Sequence, residues 1–359
     1  MTAPRAILIA DDLTGSLDSI APFAVQGMTC VTAVSTEAIA SALLHAPDVI
    51  AVNLGTREAP AEEAATRAIA ATRALIAAAG PGTIWIKKID SRLKGPIAAE
   101  IVGASQILHP DRILICPAIP DLGRIVRQGL LRGAGVEHGL AVADVVPRTL
   151  RCDIPDATSD ADLDRIARSV QPGTLVVAAR GLAAALARRI APGPMAGTSL
   201  EPGAIGFAIG SRDPVTLAQL AQLLAHGGPP LIEAPDGEVP TVSAAGSFVI
   251  QATPGVGAVG SLVASRLAAG VTGHVAGLKS LVLSGGETAA AVLQLAEIRL
   301  LRVEGEVLPG LALSRALDRP GFPSLVTKSG GFGPPDTLLR LWQAAQSLEG
   351  CQRPWLHSE

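Results

Sequence analysis

The chain has no tyrosine, and aromatic residues make up only 2% of its 359 positions. Four cysteines, Cys30, Cys116, Cys152 and Cys351, lie far apart and form no CxxC pair, which excludes zinc-ribbon and redox-motif readings. Isolated cysteines in apolar strands act as small core residues. There is no excess of charge: 29 Lys and Arg against 32 Asp and Glu leave a formal charge of -3, giving no general attraction for nucleic acid. RNP-like, finger-like and basic-helix patterns are also missing, so no nucleic-acid partner is expected. No apolar run approaches a membrane span, and the first five residues lead into a strand without a signal-peptide pattern. A cytoplasmic protein with no membrane partner is the expectation. Two nucleotide motifs are absent as well. No GxxxxGK[ST] occurs, and the first strand–helix turn lacks GxGxxG. With tyrosine also missing, this makes a dehydrogenase unattractive.

What is present is Ala, Leu, Val and Ile, within a hydrophobic content of 48% and only 17% charged residues. That composition excludes wholesale disorder and suits helices covering a parallel sheet. A chain of this length has room for two cores. Strand and helix signals alternate: strands at 6–10, 29–35, 48–53, 83–89, 112–116 and 174–178, and helices at 36–45, from Pro60 to Gly80, 96–108, 161–169 and 182–189. The stretch 124–155 reads as irregular chain or a hairpin covering a crevice. Pro- and Gly-rich residues 191–203 read as a linker. Beyond it, strands at 204–209, 280–283 and 325–326 alternate with helices at 216–224, 289–296 and 336–347. The fold class expected is α/β: two α/β domains, 1–195 and 204–359, with largely parallel or mixed sheets and a ligand cleft between them.

Two clusters of residues sit where strands end, the usual place for ligands in such sheets. The first strand runs directly into Asp11-Asp12-Leu13-Thr14-Gly15. Arg57 follows the third strand, Lys87-Lys88 and Asp90-Ser91-Arg92 with Lys94 follow the fourth, and Arg124 lies in a later loop. Arginine can fork onto a carboxylate while Asp and Ser satisfy hydroxyls, a set suited to a small polyhydroxy acid. Asp12 and Asp90 are the candidate catalytic carboxylates. Helix capping and surface pairing are the plain alternatives for each member. The second cluster is glycine-based: Gly210-Ser211, Ser284-Gly285-Gly286-Glu287-Thr288 and Lys328-Ser329-Gly330-Gly331-Phe332-Gly333. Glycines let backbone amides approach phosphate oxygens, and helix N-termini add partial positive charge. Ser211 and Thr288 could donate hydroxyl hydrogen bonds, Lys328 could offset phosphate charge, and Glu287 suits Mg²⁺ through water or a ribose hydroxyl. The histidines form no compact ligand pattern, and Arg180, Arg188 and Arg189 read as helix-end or surface charges.

Taken together, Ala10-Asp11-Asp12-Leu13-Thr14-Gly15, Lys88-Ile89-Asp90-Ser91-Arg92-Leu93-Lys94-Gly95, Pro117-Ala118-Ile119-Pro120 with Gly123-Arg124, and the three glycine turns resemble the four-carbon acid sugar kinases. The resemblance covers nearly the whole chain. It implies an N-terminal sugar-acid-binding domain, a C-terminal nucleotide-binding domain, and ATP-dependent phosphorylation of a threonate, erythronate or 3-oxo-tetronate. Asp12, Arg57, Asp90, Arg92 and Arg124 then fall on the acid-sugar side; Ser211, Gly285 to Thr288 and Gly330 fall on the ATP side. Arg92 stands where the family commonly has Thr, and Lys94 where it has Arg. ATP with Mg²⁺ is the expected cofactor set, and a homodimer is an open expectation. The alternative of a different class is a non-catalytic nucleotide or sugar-acid sensor with the same frame.

Overall fold

The computed structural model describes residues 2–191, 193, 197–241 and 246–347. Part of the expected linker, together with Cys351 and His357, lies outside these residues. The chain divides into two units, residues 1–194 with 299–303, and residues 195–298 with 304–359.

In the first unit, strands and helices alternate as β1 (Ala6–Ala10), α1 (Leu13–Val25), β2 (Cys30–Ala33), α2 (Ile39–Leu43), β3 (Val49–Asn53), α3 (Ala61–Ile76), β4 (Ile84–Lys88), α4 (Ile97–Leu108) and β5 (Arg112–Cys116). Continuous apolar runs make β1, β2 and β3 buried at every position, as strands covered on both faces must be. The stretch read as irregular chain or a hairpin contains antiparallel hairpins. It holds the antiparallel sheet β6 (Ile125–Arg127), β7 (Leu130–Gly133) and β8 (Val136–Ala141), then the short strand β9 (Cys152–Asp153) beside β5. Gln128 and Gly129 both adopt positive φ, 52° and 71°, and so form the tight turn that joins β6 to β7. The unit closes with α5 (Asp160–Ser169), β10 (Thr174–Ala178) and α6 (Arg180–Ile190).

The main sheet of this unit has the order β2-β3-β1-β4-β10-β5-β9, all neighbours parallel. The chain moves from β1 to β2 and β3 on one side, then crosses to β4 on the other. The carboxyl end of β1 is therefore a topological switch point, flanked by the ends of β3 and β4. At the far side, residues 300–303 pair antiparallel with β2.

The second unit contains β11 (Ile205–Ile209), α7 (Pro214–Ala225), β12 (Leu231–Pro235), β13 (Phe248–Thr253), α8 (Gly260–Thr272), β14 (Ser280–Ser284), α9 (Gly286–Leu295), residues 304–308 of β15 (Leu300–Leu308), β16 (Leu311–Ala316), β17 (Ser324–Lys328) and α10 (Thr337–Gln346). Its sheet order is β12-β13-β11-β14-β17-β16, parallel except for β16 against β17. β11 is here the switch point. Asp213 caps α7 through its side chain to the Val215 amide, and Pro214 occupies the first helical position. The sequence reading starts α9 at Ala289, whereas Gly286, Glu287 and Thr288 already form its first turn. Gly285, at φ 112°, makes the sharp entry that only glycine tolerates readily.

The core of the second unit gathers Phe207, Ile209, Val249, Val282 and Val326 from the sheet with Leu220, Leu223, Leu338 and Leu341 from α7 and α10. Phe207 is fully buried at the centre of this sheet. Truncation to Ala removes its contacts and leaves a cavity, so Phe207→Ala is expected to cost about 3–5 kcal/mol. A denaturation curve with an unchanged midpoint would contradict this packing.

Candidate functional site

The switch point of the first unit brings together residues 79 positions apart in sequence. Asp11 and Asp12 follow β1, Arg57 follows β3, and Asp90 follows β4. The Arg57 guanidinium reaches all three carboxylates: Nε to Asp11, Nη2 to Asp12 at 2.9 Å, and Nη1 to Asp90 at 3.2 Å. Asp11 is buried, whereas Arg57, Asp12 and Asp90 keep a fraction of their side chains open to solvent. The backbone repeats the linkage, because the Asp11 carbonyl accepts from the amides of Thr56 and Arg57 at 2.8 and 3.1 Å. Burial opposes charge on Asp11, but Arg57, Lys87 and Lys88 outweigh it and hold the carboxyl below its ordinary value. Burial likewise works against the Arg57 cation, and Asp11 and Asp12 reverse that effect, raising it above its ordinary value.

Asp12 is both a helix cap and a member of this cluster. Its side chain accepts from the Gly15 amide at 2.9 Å as the N-cap of α1, and from the Thr14 hydroxyl at 2.7 Å. Asp90 accepts from the amides of Arg92 and Lys94 at 3.0 and 3.3 Å. Arg57, expected to fork onto a substrate carboxylate, has instead three of its five N–H donors on protein carboxylates. Its geometry makes it the hub that spaces the acids. A carboxylate ligand would fall to other cations of the group.

Arg124 is buried and donates to the Ser91 hydroxyl at 2.8 Å and to the Ala134 carbonyl at 2.8 Å. A Cβ added at Gly135 would come into van der Waals range of both Arg92 and Arg124, so the β7–β8 turn passes close to this pair. A helix-end or surface charge was the expectation for Arg180. It does open α6, but its side chain is buried and meets Asp121 at 2.7 Å, beneath the turn that leads to Arg124.

Strand alternation separates the two adjacent lysines of β4. Lys87 turns toward α4 and pairs with Glu100 at 3.0 Å, both fully buried, while the Thr56 hydroxyl donates to the same carboxylate. Lys88 turns toward α1, where Asp18 lies 3.9 Å away. Sequence reading assigned neither acid. The available signal was a single carboxylate inside each otherwise apolar helical stretch, since a charge so placed needs a partner.

In the second unit, the ends of the adjacent strands β11, β14 and β17 assemble the glycine turns. The amides of Gly210 and Ser211 both donate to the Ser284 carbonyl at 3.1 Å, and the Gly285 amide donates to the Lys328 carbonyl at 3.0 Å. A Cβ on Gly210 would collide with the Thr288 hydroxyl, and one on Gly330 would collide with the Ser211 hydroxyl. Ser211, Gly285, Thr288 and Gly330 are therefore close neighbours, and Glu287 is exposed beside them on the first turn of α9. Gly286 and Gly331 are partly exposed within the same turns.

Lys328 does not present its charge to solvent. Its ammonium is buried and donates to Thr216 at 2.9 Å and to the carbonyls of Ser329 and Gly330 at 3.1 and 3.0 Å. Those bonds use its three donors, so it ties down the glycine loop from beneath; burial pulls it down to about 8. Gln219 completes the tether by donating to the carbonyls of Phe332, Gly333 and Pro334 at 2.9–3.0 Å. Thr216 and Gln219 escaped the sequence reading because polar positions on a helix carry no mark of their partners.

Among the described residues, no group of three His, Cys, Asp or Glu could hold a metal ion, and no helix is long and apolar enough to cross a membrane. The Lys87–Glu100 pair supplies a test of the buried framework. Glu100→Ala leaves Lys87 buried without its counter-charge and is expected to cost about 3–5 kcal/mol, whereas Lys87→Met with Glu100→Leu should recover most of that loss. Equal denaturation midpoints for the single and double variants would refute the pairing argument.

A model described as a sugar-binding N-terminal domain matches residues 6–140, and one described as a nucleotide-binding C-terminal domain matches residues 239–338. The D-threonate kinase of Bordetella bronchiseptica is 31% identical, with 96% of this chain and 98% of that protein covered. The 3-oxo-tetronate kinase of Cupriavidus necator is 28% identical, with 91% and 94% covered. In fold, the chain is similar to a crystal structure from Haemophilus influenzae assigned to the family DUF1537, with a TM-score of 0.66 at 20% identity and coverage of 95% and 99%. With two matched domain models on two α/β units and full-length relatives that are sugar-acid kinases, the chain belongs to the four-carbon acid sugar kinase family.

Proposed function

We propose that this protein transfers the γ-phosphoryl group of ATP to a hydroxyl of a four-carbon sugar acid of the threonate, erythronate or 3-oxo-tetronate type. One observation carries the reading: the carboxylate–guanidinium hub lies in the unit matched as sugar-binding, while the collision-limited glycine turns lie in the unit that carries the nucleotide-binding match. A polyhydroxy acid needs acceptors for its hydroxyls and cations for its carboxylate. Asp12, Asp90, Thr14 and Ser91 offer the first; Lys88, Arg92 and Arg124 offer the second. Asp11 and Arg57 serve by holding the acids apart at fixed spacing.

In the transfer, the substrate hydroxyl oxygen forms a bond to the γ-phosphorus, the bond from that phosphorus to the β–γ bridging oxygen breaks, and ADP departs. The hydroxyl proton passes to a carboxylate. Asp12 suits this role better than Asp90. One Asp12 oxygen is held only by the Thr14 hydroxyl, which can rotate away, whereas both Asp90 oxygens are held by the guanidinium and backbone amides. On the nucleotide side, Ser211, Thr288 and the backbone around Gly285, Gly286, Gly330 and Gly331 would cradle the phosphates, with Lys328 keeping the last loop in shape. Mg²⁺ accompanying ATP would neutralise phosphate charge. Glu287 is the carboxylate available to it or to its water shell, consistent with the ion's habit of binding through few protein ligands.

Incubation with ATP and a panel of four-carbon sugar acids, followed by mass spectrometry, is expected to show ADP and a singly phosphorylated acid. Ligand binding without any product would instead favour a sensor. Asp12→Asn should lower kcat by about 10²-fold or more through loss of the proton acceptor. Gly330→Ala should raise the KM for ATP on the order of tenfold and leave that for the acid nearly unchanged, since the added methyl meets Ser211. Full turnover by Asp12→Asn would remove this carboxylate from the mechanism.

A further inference from the structure

We propose that Asp18 is a positioning residue that holds the Lys88 ammonium where it can donate to an anionic oxygen of the sugar acid; this rests on the sugar-acid kinase reading above. The two lysines of β4 make the contrast that leads to it. Lys87 is closed off: its ammonium is paired with Glu100 at 3.0 Å and also donates to the Lys88 carbonyl. Lys88 has its counter-ion at 3.9 Å, beyond hydrogen-bond range, and among the described residues its ammonium makes no hydrogen bond. Its side chain is nonetheless about 95% buried, with a side-chain exposure of 5%. The Lys88 nitrogen is not among the side-chain atoms sealed from solvent without a partner, so its unspent donors face the little solvent that reaches it, where a bound anionic oxygen can take them up.

The surroundings say where that partner would bind. Lys88 is in register with Ala10, immediately before Asp11. A Cβ added to Gly15 would lie 2.7 Å from Nζ and would also collide with the Asp12 carboxylate, so ammonium and carboxylate crowd one point at the start of α1. Gly15 leaves that point open. Burial disfavours the Lys88 cation, yet Asp18 first, then Asp11 and Asp12, raise it above its ordinary value and keep it charged. Asp18, buried one and a half turns along α1, draws the ammonium away from the site carboxylates; without it, Asp11 and Asp12 alone would attract Nζ and compete with the ligand.

Asp18 faces Lys88 from β4, Arg180 from α6 and Asp12 from the start of its own helix, and it accepts from the Ser19 hydroxyl at 2.7 Å. Burial pushes it up to about 6, with Lys88 opposing. Its loss of charge therefore falls in a range where a sugar-acid carboxylate, with an ordinary value of about 4, remains ionised. Kinetic and folding effects of this titration have opposite signs. Ionised Asp18 serves the site above about pH 6, while its folding contribution is full below 3.8 and is lost as pH rises through about 6.

The experiment is steady-state kinetics of the full chain and Asp18→Asn, with ATP and each four-carbon acid varied in turn across about pH 5 to 7.5. Expected for the variant is a rise in sugar-acid KM of about tenfold, an unchanged KM for ATP, and loss of the acid-side fall near pH 6 in kcat/KM for the acid. A folded variant that keeps the wild-type KM and acid limb overturns the proposal. If Asp18→Asn does not fold, the wild-type chain decides: its sugar-acid KM must rise as pH drops through about 6, and a flat profile overturns the proposal. Wild-type protein that phosphorylates none of the acids removes the functional reading and this inference with it, an outcome distinct from active wild type with an indifferent variant.

Discussion

One guanidinium organises the first unit. Arg57 is the only cation that touches Asp11, Asp12 and Asp90 together among the described residues; the first two acids follow β1, the third follows β4, and Arg57 itself follows β3. Three carboxylates gathered at one point repel strongly in a partly buried setting, where charges are screened less than in bulk water. Arg57 converts that repulsion into a fixed spacing. Everything described around it follows from the need to hold this arrangement: the two amides on the Asp11 carbonyl, the α1 cap at Asp12, and the turn amides on Asp90.

Behind the hub, each adjacent lysine of β4 draws an acid out of a covering helix. Glu100 neutralises Lys87 on one face of the sheet, and Asp18 faces Lys88 on the other. The alternation of a strand is what assigns them to different partners. The second unit solves a different problem, that of holding glycine-rich backbone in one shape. Glycine loses more conformational freedom on ordering than other residues, and here the cost is offset by carbonyl bonds to Lys328, Thr216 and Gln219. A lysine that sequence alone associates with phosphate thus works as an internal tether.

The alternation of elements was readable because buried parallel strands and amphipathic helices carry strong periodic signals. β1, β5 and β10 match the sequence reading at both ends, and most of the other elements it places differ by one or two residues, while β13 and α8 carry no reading at all. The misses have physical causes. β6 to β8, read only as irregular chain or a hairpin, are short and half exposed, and the β6–β7 turn depends on Gln128 adopting a positive φ that its side chain does not advertise. β12 is an exposed edge strand ending in proline, and β15 and β16 form long antiparallel runs unlike the α/β pattern around them. α9 begins early because its glycines enter the helix instead of preceding it.

The order of residues along the chain determined that Asp11, Asp12, Arg57 and Asp90 would each stand where a strand stops, since strand length and the following turn are local properties. It also determined that the glycine turns would do the same in the second half. Tertiary structure alone decided that β3 and β4 flank β1, which places one arginine among three acids, and that Glu100 and Asp18 lie beneath the two lysines. Pairings of this kind depend on strand order and on which helix covers which face. These arise from packing between segments distant in sequence, and no window of the chain records them.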